Sequence, residues 1–154
     1  MKNSNFIKYL FAMVVSAFAM LIVLNIVKAI GKKINAPTED EIKIELRDEM
    51  EKGAKSMNSK TPFMVDDDTR LDLVTVSGEL TSNYFYTFPN YSSLEIDTNS
   101  ATPHLKKMIL STICDDEGIK ESLSYGGILN YTYSGNDNIE IVHIKIKKSD
   151  CDQE

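Results

Sequence analysis

Cys114 and Cys151, His104 and His143, the run Asp66-Asp67-Asp68, and the pairs Tyr84/Tyr86 and Tyr131/Tyr133 are the residues whose types and spacing invite a chemical reading. Neither cysteine has a second Cys or a His at ligand spacing, and two histidines cannot supply a usual zinc set. Three adjacent aspartates lack the alternate spacing of a calcium loop, so they read as a solvated turn in which Asp66 bonds the local backbone. The chain contains no Gly-rich phosphate loop, no zinc-protease motif and no Gly-x-Ser-x-Gly elbow. No catalytic, cofactor-binding or metal-binding residue is therefore assigned, and the chain reads as a non-enzyme without a cofactor.

The cysteines leave two readings. In an oxidising compartment Cys114 and Cys151 would form a disulfide; in the cytosol they would be a reduced structural pair. A bridge would pin the region around Cys151, where a frayed tail is otherwise expected, and would close a loop worth about 4 kcal/mol in the chain-entropy model. The two Tyr-x-Tyr pairs each share one face of a strand, because side chains alternate with period two. Tyr84, Tyr86, Tyr131 and Tyr133 could build an aromatic ladder that packs the domain, or a candidate interaction surface.

The elements that must position these residues follow from pattern. Thr38-Glu39-Asp40-Glu41 is a capping box that opens a helix with the stripe Ile42, Leu46, Met50, Ala54 and Met57. That stripe could face the domain's own sheet, a partner or a coiled coil. Residues 71–76 are rich in β-branched types, Gly78-Glu79 turns the chain, and 80–88 complete a hairpin. A helix beginning around 97–103 carries Leu105, Met108, Ile109, Ile113 and Cys114 toward the core. A shorter one, 118–125, ends at Gly126-Gly127. A second hairpin joins 128–134 to 139–147 through Gly135-Asn136-Asp137-Asn138. Val142, Ile144 and Ile146 alternate there with His143, Lys145 and Lys147.

The run 9–27 carries no charge and is flanked by lysines. At ~1.5 Å per residue it is long enough for a membrane-spanning helix, with a cleaved signal peptide as the alternative. Flanking lysines fall almost equally on both sides and do not orient it. Of the 17 Lys and Arg, five lie in residues 1–38, leaving 12 against all 23 Asp and Glu in residues 39–154. A domain this acidic is repelled by phosphate backbones, which argues against nucleic acid as a partner. The expected class is α+β: an N-terminal transmembrane helix, then a small antiparallel sheet of two hairpins with helices packed on one face. The expected division is 1–31 anchor, 32–60 juxtamembrane linker and amphipathic helix, and 61–154 periplasmic domain, with residues 6–30 in contact with the bilayer.

Val65-Asp66-Asp67-Asp68-Thr69-Arg70-Leu71, followed by a Tyr-x-Tyr strand, resembles the opening of a group of small exported bacterial domains. Cys114, Leu123, Gly126, Tyr131, Tyr133, Gly135, Ile144 and Cys151 continue that pattern in order. Over 62–151 the chain also resembles the pilotin lipoproteins of type II secretion in Gram-negative bacteria, which bind and escort the outer-membrane secretin. The resemblance implies an exported α+β domain with a cysteine bridge and an envelope protein as partner. It departs from those pilotins in having no cysteine before Cys114 to carry a lipid. The leading expectation is a non-enzymatic interaction or assembly module anchored in the inner membrane and facing the periplasm. The alternatives are a pilotin-like accessory protein of a secretion system and a small-molecule or peptide binder using the tyrosine-lined strands. Secretion to the periplasm after signal-peptide cleavage is the alternative localisation.

Overall fold

The structure, a computed structural model, describes residues 36–152. Residues 39–154 form a compact unit of their own. Helix α1 (Glu39–Asn58) starts directly after Thr38, with Glu39, Asp40 and Glu41 in its first turn, where negative charge suits the helix dipole. There follow β1 (Phe63–Met64), β2 (Arg70–Ser77), β3 (Thr81–Phe88), a 3₁₀ turn at Ser93–Glu95, α2 (Thr98–Ile113), α3 (Glu117–Ser124), β4 (Ile128–Gly135), β5 (Glu140–Ile146) and α4 (Lys148–Cys151).

The five strands form one sheet in the order β1-β2-β3-β4-β5. Both expected hairpins are present, as β2/β3 and β4/β5, each antiparallel. The expected all-antiparallel sheet is corrected, because β3 and β4 run parallel, with Tyr84 opposite Tyr131 and Tyr86 opposite Tyr133. A parallel pair needs a long crossover, and α2 with α3 supplies it. The expected transmembrane helix is also corrected. Among the described residues no helix is long and apolar enough to cross a membrane. The run 9–27, on which that expectation and the bilayer contact rested, lies outside the described residues.

The helices cover one face of the sheet. Ile109, Leu110 and Ile113 of α2 and Leu123 of α3 meet Leu129, Tyr131 and Tyr133 of β4 and Val142, Ile144 and Ile146 of β5. Ile146 is fully buried. Ala54 of α1 packs on Leu71 and Val74 of β2, so the α1 stripe meets the domain's own sheet at that residue, while Met50 meets Ser122 of α3 and Met57 stays 39 % exposed. Asn58 then clips the end of α1 to β2: its amide donates to Val74 O at 2.7 Å and its carbonyl accepts from Val74 N at 2.8 Å. In an unbroken strand Leu71 and Leu73 would share a face. A bulge between them turns Leu73 out to the open face, opposite Phe85.

Both crossover helices have side-chain caps. Asp97 accepts from Asn99 N at the start of α2, and Asp116 from Ile119 N at the start of α3. The α3 exit is a Schellman turn: Gly126 has φ +87°, and Gly127 N donates to Ser122 O at 2.9 Å. A Cβ on Gly127 would lie 2.6 Å from that same oxygen, so the turn into β4 requires glycine at both positions.

Candidate functional site

The parallel register of β3 and β4 determines the site. Residues directly opposite each other in adjacent strands bring their side chains together on one face. Tyr84 and Tyr131 therefore stack at 4.9 Å between ring centroids, and Tyr86 and Tyr133 at 4.9 Å. Tyr86 reaches Tyr131 at 6.4 Å, and Phe88 closes the row against Tyr133 at 5.5 Å. All planes are within 16° of parallel, so the five rings make one continuous offset-stacked ladder.

Helix α2 does not fill the whole ladder. A cleft of about 450 Å³ remains between them, floored by Tyr86, Tyr131 and Tyr133 and walled by Leu105, Met108, Ile109, Thr112 and Ile113. Val65, Asp66 and Thr69, from the loop between β1 and β2, also line it, with Val65 and Asp66 exposed at its rim and Thr69 buried. Met108, expected to face the core, instead stands at the mouth with 48 % of its surface exposed. Tyr84, the fourth predicted residue, lies further along the ladder and lines a smaller pocket of about 210 Å³ between α1 and α3. The wall residues beyond the tyrosines carry a sequence signal. Leu105, Met108, Ile109, Thr112 and Ile113 follow i, i+3, i+4, i+7, i+8 spacing, an apolar stripe wider than the core contact needs.

The cleft is apolar, with a few polar groups. Burial pushes all four phenols upward, and Tyr133, with the Asp66 charge as the second cause, reaches about 12. The tyrosines are thus neutral hydroxyls at physiological pH. Asp66 makes the expected turn by accepting from Asp68 N at 2.9 Å. His104 is exposed on α2, and His143 lies on the open face of the sheet, with Thr132 Oγ1 3.1 Å from its Nδ1. Neither histidine lines the cleft.

The wall helix is tethered from behind. Cys114, immediately after Ile113, is disulfide-bonded to Cys151 of α4, with 5.5 Å between their Cα atoms. Lys106 of α2 also reaches Asp150 at 2.7 Å. The Lys106 hydrogen bond, followed by that from Lys147 N, holds the Asp150 carboxyl below its ordinary value. A depressed folded-state value contributes stability above the unfolded pKa of about 4 that disappears as pH falls through the folded value. Asp150→Asn is therefore expected to lower thermal stability at pH 7, with the difference from wild type shrinking as the pH falls through the folded value. Melting curves from pH 7 downward check this.

The domain is α+β, built on a five-stranded mixed sheet with a disulfide tying its C-terminal turn to the crossover helix, and two secretion pilotins are among the solved structures that share its fold. The chain superposes on the pilotin EpsS of the Vibrio vulnificus type 2 secretion system with a TM-score of 0.55 at 13 % identity, covering 73 % of this chain and 96 % of that one. The type II secretion pilotin AspS of Vibrio cholerae gives 0.53 at 14 % identity, covering 71 % and 94 %. PA3611 of Pseudomonas aeruginosa, a protein named for its inferred secretion, gives 0.59 at 20 % identity, covering 76 % and 99 %. At these identities the likeness is one of fold. No curated protein matches the sequence. The chain belongs to the family described as a domain of unknown function, DUF8479, which matches residues 45–143 and so includes every element of the cleft.

Proposed function

We propose that this domain is an exported, non-enzymatic accessory protein of a secretion system, whose tyrosine-floored cleft holds an apolar segment of an envelope partner, a secretin subunit. The observation that carries the reading is the cleft itself. Its volume of about 450 Å³ lies within the roughly 300–1,000 Å³ of ligand pockets. Its walls are mainly aliphatic and aromatic, and its mouth residues Met108 and Val65 remain exposed. A side-chain ladder on rigid strands presents apolar surface at low entropic cost, which favours docking over chemistry. The fold shared with EpsS and AspS supports a secretion-system partner, and the Cys114–Cys151 bridge supports an oxidising compartment.

A photoreactive benzophenone residue placed at position 108 in cells that carry the secretion system tests this reading. A covalent adduct with the secretin is the expected product. Adducts confined to other proteins, or none in cells that make both proteins, would overturn it.

A further inference from the structure

The largest departure from burial logic lies away from the cleft floor, on the connection from β3 to α2. Leu94 is 95 % exposed, more than any other large apolar residue described. A lone surface leucine needs no explanation; a leucine held out by a locked loop does. Ser92 donates to the Glu95 carboxylate from its backbone N at 2.7 Å and its hydroxyl at 2.8 Å. Ser93 donates to Asp137 from N at 3.0 Å and from Oγ at 2.7 Å, tying the turn to the β4/β5 hairpin. Asn136 N donates to Tyr91 O at 2.9 Å, and a Cβ on Gly135 would lie 2.7 Å from Ser93 N, so the two loops are pressed together. None of these bonds buries Leu94; together they fix its backbone with the side chain in water.

Its surroundings restrict what it meets. Tyr91 and Ile139 are exposed on the same paired loops, Ile139 to 56 %. Glu95, Asp97 and Asp137 flank them. Hydrogen bonds from Ser92, Ser100 and Ser93 respectively hold these carboxyls below the usual carboxylate range, so all three are ionised at neutral pH. An apolar knob with three fixed negative charges is repelled by anionic lipid and by a second copy of this acidic domain. It complements a protein pocket with a basic rim.

We propose that the 89–97 loop is a preorganised protein-docking knob: Leu94 seats in an apolar pocket of a folded partner whose rim carries lysine or arginine. Because the loop is already ordered, docking loses little conformational entropy, and one buried leucine in a central pocket acts as an anchor. The inference stands whether or not the cleft takes a secretin.

The test places benzophenone at position 139 of the full-length chain in its own host, with irradiation of intact and of osmotically opened cells. The expected product is an adduct with a discrete protein, mapped to a pocket with Lys or Arg at its edge. Leu94→Asp should reduce it at least ~10-fold while leaving the melting temperature within about 2 °C, as for an exposed site. Raising salt to 0.5 M in opened cells should reduce it several-fold, since Glu95, Asp97 and Asp137 cannot be replaced without releasing the loop. An adduct of twice the chain's mass, an adduct only to lipid, no adduct, or a protein adduct indifferent to Leu94→Asp or to salt would each overturn the proposal.

Discussion

Replacing both Cys114 and Cys151 with serine is expected to lower the unfolding free energy by about 4 kcal/mol and the melting temperature by roughly 10–20 °C. The bridge joins residues 37 apart in sequence, and its closed loop contains α3, β4 and β5, the segment that completes the core. Release enlarges the unfolded ensemble and also frees α4. That helix is a single four-residue turn and then depends on the Lys106–Asp150 pair, which is partly exposed and contributes little alone. Urea denaturation of the oxidised protein, the reduced protein and the double variant checks the prediction. Reduced protein and variant should agree with each other and show a higher m-value than the oxidised protein, whose cross-linked unfolded state is more compact. A loss below about 1 kcal/mol would mean that α4 docks on α2 without the covalent link. Hydrogen exchange should show the first protection lost around 148–151, before the sheet opens.

How far the sequence carries the fold depends on whether a feature is local. Alternation of Val142, Ile144 and Ile146 with His143, Lys145 and Lys147 placed β5 with one buried face, and Ile146 is fully buried. Gly126-Gly127 marked the end of α3, because only glycine accepts its positive φ and the close approach of Ser122. Strand direction was not legible, since a period of two is the same in parallel and antiparallel pairs. The parallel β3/β4 pairing emerges only when α2 and α3 return the chain to the same end of the sheet. β1 is two residues long and α4 four, below any periodic signal. The Asp72 bulge was equally hidden: Leu71-Asp72-Leu73 reads as regular alternation, yet Leu73 is exposed. The tyrosine pairs were visible in the sequence. The gap above them was not, because it depends on how far α2 stands from the sheet, and no local pattern encodes that distance. For the same reason Met108, by spacing a core residue, lies at the cleft mouth.

Met108→Glu is expected to weaken binding of the cleft's partner by at least ~30-fold, about 2 kcal/mol, while changing stability by no more than about 0.5 kcal/mol. The side chain is half exposed, so the folded state does not bury the new carboxylate. A partner segment in the cleft would bury it, against Leu105, Ile109 and the acidic rim at Asp66, and an unpaired charge there is strongly unfavourable. The substitution thus separates docking from folding, which truncating the floor cannot do. Tyr131→Ala would open a cavity between Tyr84 and Tyr86 and cost roughly 3–5 kcal/mol of stability, so lost binding would be ambiguous. Tyr133→Phe supplies the complementary measurement. It keeps the stacked ring and removes one neutral hydroxyl, so retained affinity assigns recognition to the apolar faces and a ~10-fold loss assigns it to a hydrogen bond. Affinities of the three purified proteins for the solubilised secretin, measured alongside their melting curves, distinguish these outcomes. Wild-type affinity in Met108→Glu would exclude the cleft as the docking surface, because no partner could occupy it without meeting that charge.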